Sequence, residues 1–223
     1  MNLLGLDTST AASAACVLRA DGEAFEVVPE VEELGAAPAH ARDLLPRAAE
    51  VLERAGLRFA DLDAVAVGCG PGSFTGLRIG IATARGLAKA HGLELRPVPS
   101  LAALAEGIES HARLPLIDAR RGELFAAVYD GDGGALLEPF VAAPDAVVER
   151  VRGLAGLLAA GDGSLRFRGL LEAAGVPVAP AGSQAHVVRA LHVCRLGLGV
   201  APVAPEAVLP SYIRAPDARP QPT

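Results

Sequence analysis

The sequence predicts an α/β protein of two lobes, the second one reduced. Three observations carry this. The first hundred residues read as strand-strand-strand-helix-strand-helix-strand-helix. A glycine-dense loop joins a buried strand to a long helix in the middle of that run, and the pattern changes near residues 105–113 to hairpin strands and shorter helices. The lobes are therefore set at 1–105 and 106–223, with a C-terminal helix at about 183–197 expected to pack back on the first lobe.

Residues 2–7, 13–19 and 23–29 are apolar and β-branched enough for three successive strands, with turns at 8–12 and 20–22. His40 to Ala55 has amphipathic helical spacing, although Pro46 is expected to kink that helix or mark its effective start. Residues 63–67 (DAVAV) form a short buried strand, 74–90 a helix, 94–98 a strand, and a further helix begins at Ser100. Strands at 114–118 and 123–129 close a hairpin across 119–122, followed by a strand near 136–141 and a helix at 144–153. A strand at 157–160 and helices near 164–174 and 183–197 complete the set, before a proline-rich tail from Ala201.

The chain has 223 residues, 51% of them apolar, so core material is ample. No run of apolar residues is long enough to span a bilayer, and the N-terminus lacks the pattern of a signal peptide, so a cytoplasmic location is expected. Cys16, Cys69 and Cys194 are scattered in apolar surroundings, which favours reduced core residues over a disulfide or metal site. With 20 basic against 26 acidic residues, strong unaided binding to nucleic acid is disfavoured.

The loop GCGPGSFTGLRIG, at 68–80, holds five glycines. Gly70, Pro71 and Gly72 force a tight turn and Ser73 is a good N-cap, so backbone N–H groups at this junction could face an anion. Glycines that merely let the helix pack closely on a sheet explain the same residues. The loop is neither a P-loop, because Leu77 and Arg78 follow Gly76, nor a dinucleotide fingerprint, because the spacing is one residue too long. Ser73 lacks the following glycine of a nucleophile elbow, and no base is recognisable for a hydrolase. Asp118 and Glu123 flank a turn with Arg120 and Arg121, which reads as a salt-bridged hairpin end.

Three strands with an aspartate in the first turn, then helix-strand-helix, resemble one lobe of the actin/Hsp70/sugar-kinase (ASKHA) superfamily. That likeness implies nucleotide contacts from Asp7, Thr8 and Ser9 in the first turn and from Gly70, Gly72 and Ser73 in the loop. The motifs LGLDTST (4–10), HARDLLP (40–46), GPGSFTGLRIG (70–80), DARRGE (118–123) and YIRAP (212–216) occur in order. Together they resemble the TsaB (YeaZ) family along nearly the whole chain.

This resemblance implies a non-catalytic scaffold or activator subunit. It would dimerise with a TsaD-type threonylcarbamoyltransferase that forms N6-threonylcarbamoyladenosine (t6A) at position 37 of tRNAs reading codons beginning with A. A TsaE-type ATPase would join, tRNA would be reached only through the complex, and the free chain could form a homodimer. The transferase paralogue carries two metal-binding histidines four residues apart and acidic residues after the first turn; the matching positions here are Ser100 and Leu104, and Ala11 and Ala12. No metal and no required cofactor are therefore expected, with ATP or ADP bound weakly at most, at the lobe or subunit interface. The rival reading is an active ATP-dependent phosphotransferase, for which only GDGS (161–164) offers a second phosphate loop. The partner face is expected on helices 40–55 and 74–90, at His40, Leu44, Leu45, Ala48, Gly76, Gly80, Thr83 and Leu87, because the second helix has too little polar surface for one buried side.

Overall fold

The computed structural model describes residues 1–213. Strands β1 (Leu3–Asp7), β2 (Ala14–Leu18), β3 (Ala24–Val27), β4 (Ala64–Gly68) and β5 (Glu94–Val98) form one sheet in the order β3-β2-β1-β4-β5. The first three pair antiparallel as a meander, while β4 and β5 add in parallel beside β1. Parallel neighbours need crossover helices, and the chain supplies α1 (His40–Ala55) and α2 (Phe74–His91). A second sheet, ordered β8-β7-β6-β9, contains β6 (Ala112–Arg120), β7 (Glu123–Asp130), β8 (Ala135–Ala142) and β9 (Leu157–Ala160).

Five layers result. One face of the first sheet (Leu4, Leu6, Val17, Val65, Val67) packs on Leu44, Ala48 and Val51 of α1 and on Ile81 and Ala84 of α2. The opposite face shares a core with α3 (Ser100–Ala105), α7 (Ala190–Gly199) and the second sheet, joining Leu3, Cys16, Ala66, Leu104, Cys194, Ile117 and Phe125 in one cluster. The outer face of the second sheet is covered by α4 (Pro144–Val151) and α6 (Arg168–Ala173). Cys16 and Cys194 are free thiols inside the shared core. Glycine at 5 is what lets α7 lie so close to β1, since a Cβ there would stand 2.6 Å from both the Ala190 carbonyl and the Cys194 sulfur.

Helix α1 has the expected span, His40–Ala55, whereas two later boundaries differ from expectation. Helix α1 begins at His40 and runs through Pro46 without being reset there. Pro46 is exposed, so solvent can take the carbonyl bond its missing N–H forgoes. The segment expected as one helix at 164–174 is two, α5 (Asp162–Arg166) and α6, broken at Phe167, whose φ of −110° lies outside the helical well. The last helix starts at Ala190 rather than 183, because Gln184–His186 forms a 3₁₀ turn capped by Ser183 and the buried β-branched Val187 and Val188 follow it. His186 and His192 thus belong to different elements. Among the described residues no helix is long and apolar enough to cross a membrane.

Candidate functional site

The first turn and the glycine loop do come together, but they close on each other. Asp7 Oδ1 accepts from the Ser9 N–H at 2.7 Å and the Ser9 hydroxyl at 2.6 Å, and its Oδ2 accepts from Ser100 Oγ at 2.8 Å. Ser100 Oγ in turn accepts the Gly70 N–H at 3.2 Å. Thr8 Oγ1 donates to the Gly76 carbonyl at 2.7 Å, and the Ser73 N–H donates to the Ser9 carbonyl at 2.7 Å. Asp7, Thr8 and Ser9 are all buried. Burial raises the Asp7 pKa, opposed by its bonds from Ser9 and Ser100.

The loop's glycines follow from this closure. A Cβ on Gly72 would stand 2.4 Å from the Ser9 carbonyl oxygen, one on Gly76 would be 2.1 Å from that of Thr8, and one on Gly80 would be 2.3 Å from Thr8 Oγ1. At Gly72 and Gly76 backbone meets backbone, and at Gly80 it meets the Thr8 side chain, with no room for a Cβ. Of the six residues expected to cradle phosphate, Asp7, Thr8, Ser9 and Gly70 spend polar atoms on this internal network. Gly72 provides contact space, and Ser73 Oγ accepts the Gly76 N–H at 3.2 Å as the N-cap of α2.

The expected partner face needs correction. His40, Leu44 and Ala48 are buried inside this chain, and Gly76 and Gly80 abut Thr8, so these five offer almost no accessible surface to a partner. Their small size serves an intramolecular approach rather than an intermolecular one. Leu45 is 49% exposed, and Thr83 and Leu87 are half-buried. Phe74, 54% exposed and half-buried Ile79 join them on the outer side of α2.

The basic residues of α2 also have an intramolecular use that sequence reasoning missed. Arg85 donates to the carbonyls of Glu206 and Val208, and Arg78 Nε lies 3.2 Å from the Tyr212 hydroxyl. Phe74 stacks on Tyr212 at 5.6 Å between centroids, with the Arg78 guanidinium 3.9 Å over the Phe74 ring. The segment 205–213 therefore straps the outer end of α2. Tyr212 begins the YIRAP motif; Arg214, Ala215 and Pro216 of that motif lie outside the described residues.

In the second sheet the β6–β7 hairpin end is ion-paired, as its charges suggest. Asp118 Oδ2 meets Arg120 at 3.2 Å and Arg166 at 2.7 Å. Asp162, which the sequence reading knew only as part of the GDGS turn, lines a cleft of about 490 Å³ with Asp118 and accepts N–H bonds from Asp118 at 3.1 Å and Gly163 at 2.9 Å. Burial first, then the Asp118 charge, pushes the Asp162 carboxyl up to about 6. The GDGS turn serves packing, since a Cβ on Gly161 would stand 2.1 Å from the Leu116 carbonyl oxygen. Ser100 and Leu104 lie wholly within the core, and no group of three metal-ligating side chains occurs among the described residues. Ser73 Oγ has no histidine partner among those residues.

A meander extended by parallel strands and backed by helices, together with a second sheet, is the α/β architecture of the actin/Hsp70/sugar-kinase class. Residues 25–195 match the family model described as TsaD, tRNA N6-adenosine threonylcarbamoyltransferase. The chain is 34% identical to Escherichia coli TsaB, a tRNA threonylcarbamoyladenosine biosynthesis protein, over 167 residues, covering 70% of this chain and 68% of that one. It is 40% identical to an uncharacterized protein of Mycobacterium leprae over 143 residues, 64% of this chain but only 39% of the longer relative. The YeaZ structure from Pseudomonas aeruginosa superposes with a TM-score of 0.74 at 30% identity, over 95% of this chain and 100% of that one. The chain belongs to the TsaB (YeaZ) family.

Proposed function

We propose that this protein is the non-catalytic subunit that supports a TsaD-type transferase in forming t6A at position 37 of tRNAs reading codons beginning with A. Membership of the TsaB family, whose E. coli relative is named for threonylcarbamoyladenosine biosynthesis, supports a role in that modification. The observation that carries the non-catalytic reading is the state of Asp7 and α3. Where the transferase resemblance calls for ligands, Ser100 holds Asp7 through its hydroxyl and Leu104 is core. A buried carboxyl already bonded to three protein donors is poorly placed to serve nucleotide or metal chemistry. ATP or ADP binding to the isolated chain is accordingly weak and no cofactor is required.

The partner reading places the transferase on the outer side of α1 and α2, around Leu45, Ile79, Thr83 and Leu87, with a TsaE-type ATPase joining the pair. The acidic balance of the chain supports reaching tRNA only through that complex. Reconstitution tests this: transferase, ATPase and threonylcarbamoyl-adenylate should yield t6A on tRNA only when this chain is present, while the chain alone turns over no nucleotide. Full modification without it, or nucleotide hydrolysis by the chain alone, overturns the proposal.

A further inference from the structure

The strap at 205–213 leaves apolar surface in the open where it reaches the start of α2. Leu209 is 66% exposed and Tyr212 47%, and Tyr212 stacks on Phe74, which is exposed as well. The strap is already pinned by other contacts. Val208 is buried, and the Ser211 N–H donates to the Cys69 carbonyl at 2.7 Å. A segment fixed in this way needs no exposed leucine for folding. Single apolar side chains scattered over a surface are ordinary, whereas several gathered at one corner mark an interaction site.

Arg78 adds an independent observation. Its guanidinium lies over the Phe74 ring and its Nε bonds the Tyr212 hydroxyl, so its position is set by the corner itself. Its two terminal nitrogens bond nothing among the described residues and are not enclosed. Arginines elsewhere, Arg42 and Arg58 for instance, hold a neighbouring carboxylate. A guanidinium fixed beforehand loses little freedom on meeting a carboxylate, which it can grip through two parallel bonds. One such cation amid apolar side chains is complementary to a protein carboxylate set in an apolar surface. An RNA backbone asks instead for a row of cations, and the net charge of −6 opposes it. The corner adjoins the outer side of α2, where Ile79 and Thr83 stand half-buried.

We propose that this corner is part of the surface that seats the transferase, with Arg78 receiving a carboxylate of that partner and Phe74, Leu209 and Tyr212 packing around the pair. Docking here presupposes the transferase partner proposed above. Calorimetric titration of the full chain with its transferase tests it, with Leu45→Arg run alongside. Arg78→Met keeps a stem over Phe74 and removes the charge, while Leu209→Asp sets a carboxylate against the partner's own. Each should weaken the heterodimer by about tenfold or more at an unchanged melting temperature. The native affinity should also fall with added salt, a dependence that Arg78→Met flattens. If Arg78→Met lowers the melting temperature, Leu209→Asp alone decides. A heterodimer weakened by Leu45→Arg but by neither corner variant overturns the corner and leaves the transferase reading standing. No heterodimer from the native chains overturns that reading and the corner with it. Corner variants that lose tRNA or ATPase binding while the heterodimer is undiminished overturn this placement too.

Discussion

Asp162 shows how one side chain acquires a property its sequence position does not announce. Its carboxyl titrates near 6 because burial disfavours the anion, and the Asp118 charge adds to that. The folded pKa lies above the unfolded value, so the native state holds the proton more tightly than the unfolded chain. Any stability due to this difference is fully present below about pH 4 and is lost as pH rises through about 6. The melting temperature of the native protein minus that of Asp162→Asn should therefore fall between pH 4 and pH 7. A difference that stays flat or rises over that range refutes the assignment. His40, His186 and His192 have the opposite sense, because burial lowers each pKa and acid favours the unfolded chain.

At the scale of elements, α1 and α2 each have one side pressed into the sheet and one side turned out. Leu45 is the clean probe of the outer side, since half its surface is exposed and its neighbour Leu44 carries the core contact. Leu45→Arg should leave the melting temperature within about 1 °C, as surface substitutions usually do. If the transferase docks there, an unpaired central charge should weaken the heterodimer by about thirtyfold, roughly 2 kcal/mol, and reduce t6A formation with it. Undiminished heterodimer with this variant would move the interface elsewhere. Gly80→Arg cannot serve the same purpose, because even a Cβ at that position collides with Thr8 Oγ1.

Across the whole molecule, the two sheets share the cluster that contains α3 and α7, so neither half owns a complete core. Unfolding is expected as one cooperative transition, with far-ultraviolet dichroism and the fluorescence of buried Tyr129 in β7 changing together. Gly5→Ala, which forces α7 off β1, should cost about 1–3 kcal/mol and lower both signals' midpoints equally. Two separated transitions would show that the sheets are independent units.

The order of strands and helices in the first hundred residues was legible because each element carries its own local signal. Periodicity marks α1 and α2, β-branched runs mark the strands, and Gly56 and Gly92 stop the two helices in left-handed conformations. The motif set likewise pointed to the family now shown. What the sequence could not settle depended on partners distant along the chain. Small residues at 76 and 80 fit a foreign backbone as well as Thr8, and only the fold decides which one they meet. Nothing local to Arg78 and Arg85 of α2 announces the bonds they make to Tyr212 and to the Glu206 carbonyl, more than a hundred positions away. Asp162 and Asp118 are 44 positions apart, and no local pattern couples them. Local preferences fixed what each segment is, whereas long-range packing chose which faces remained exposed and which polar groups were already spent.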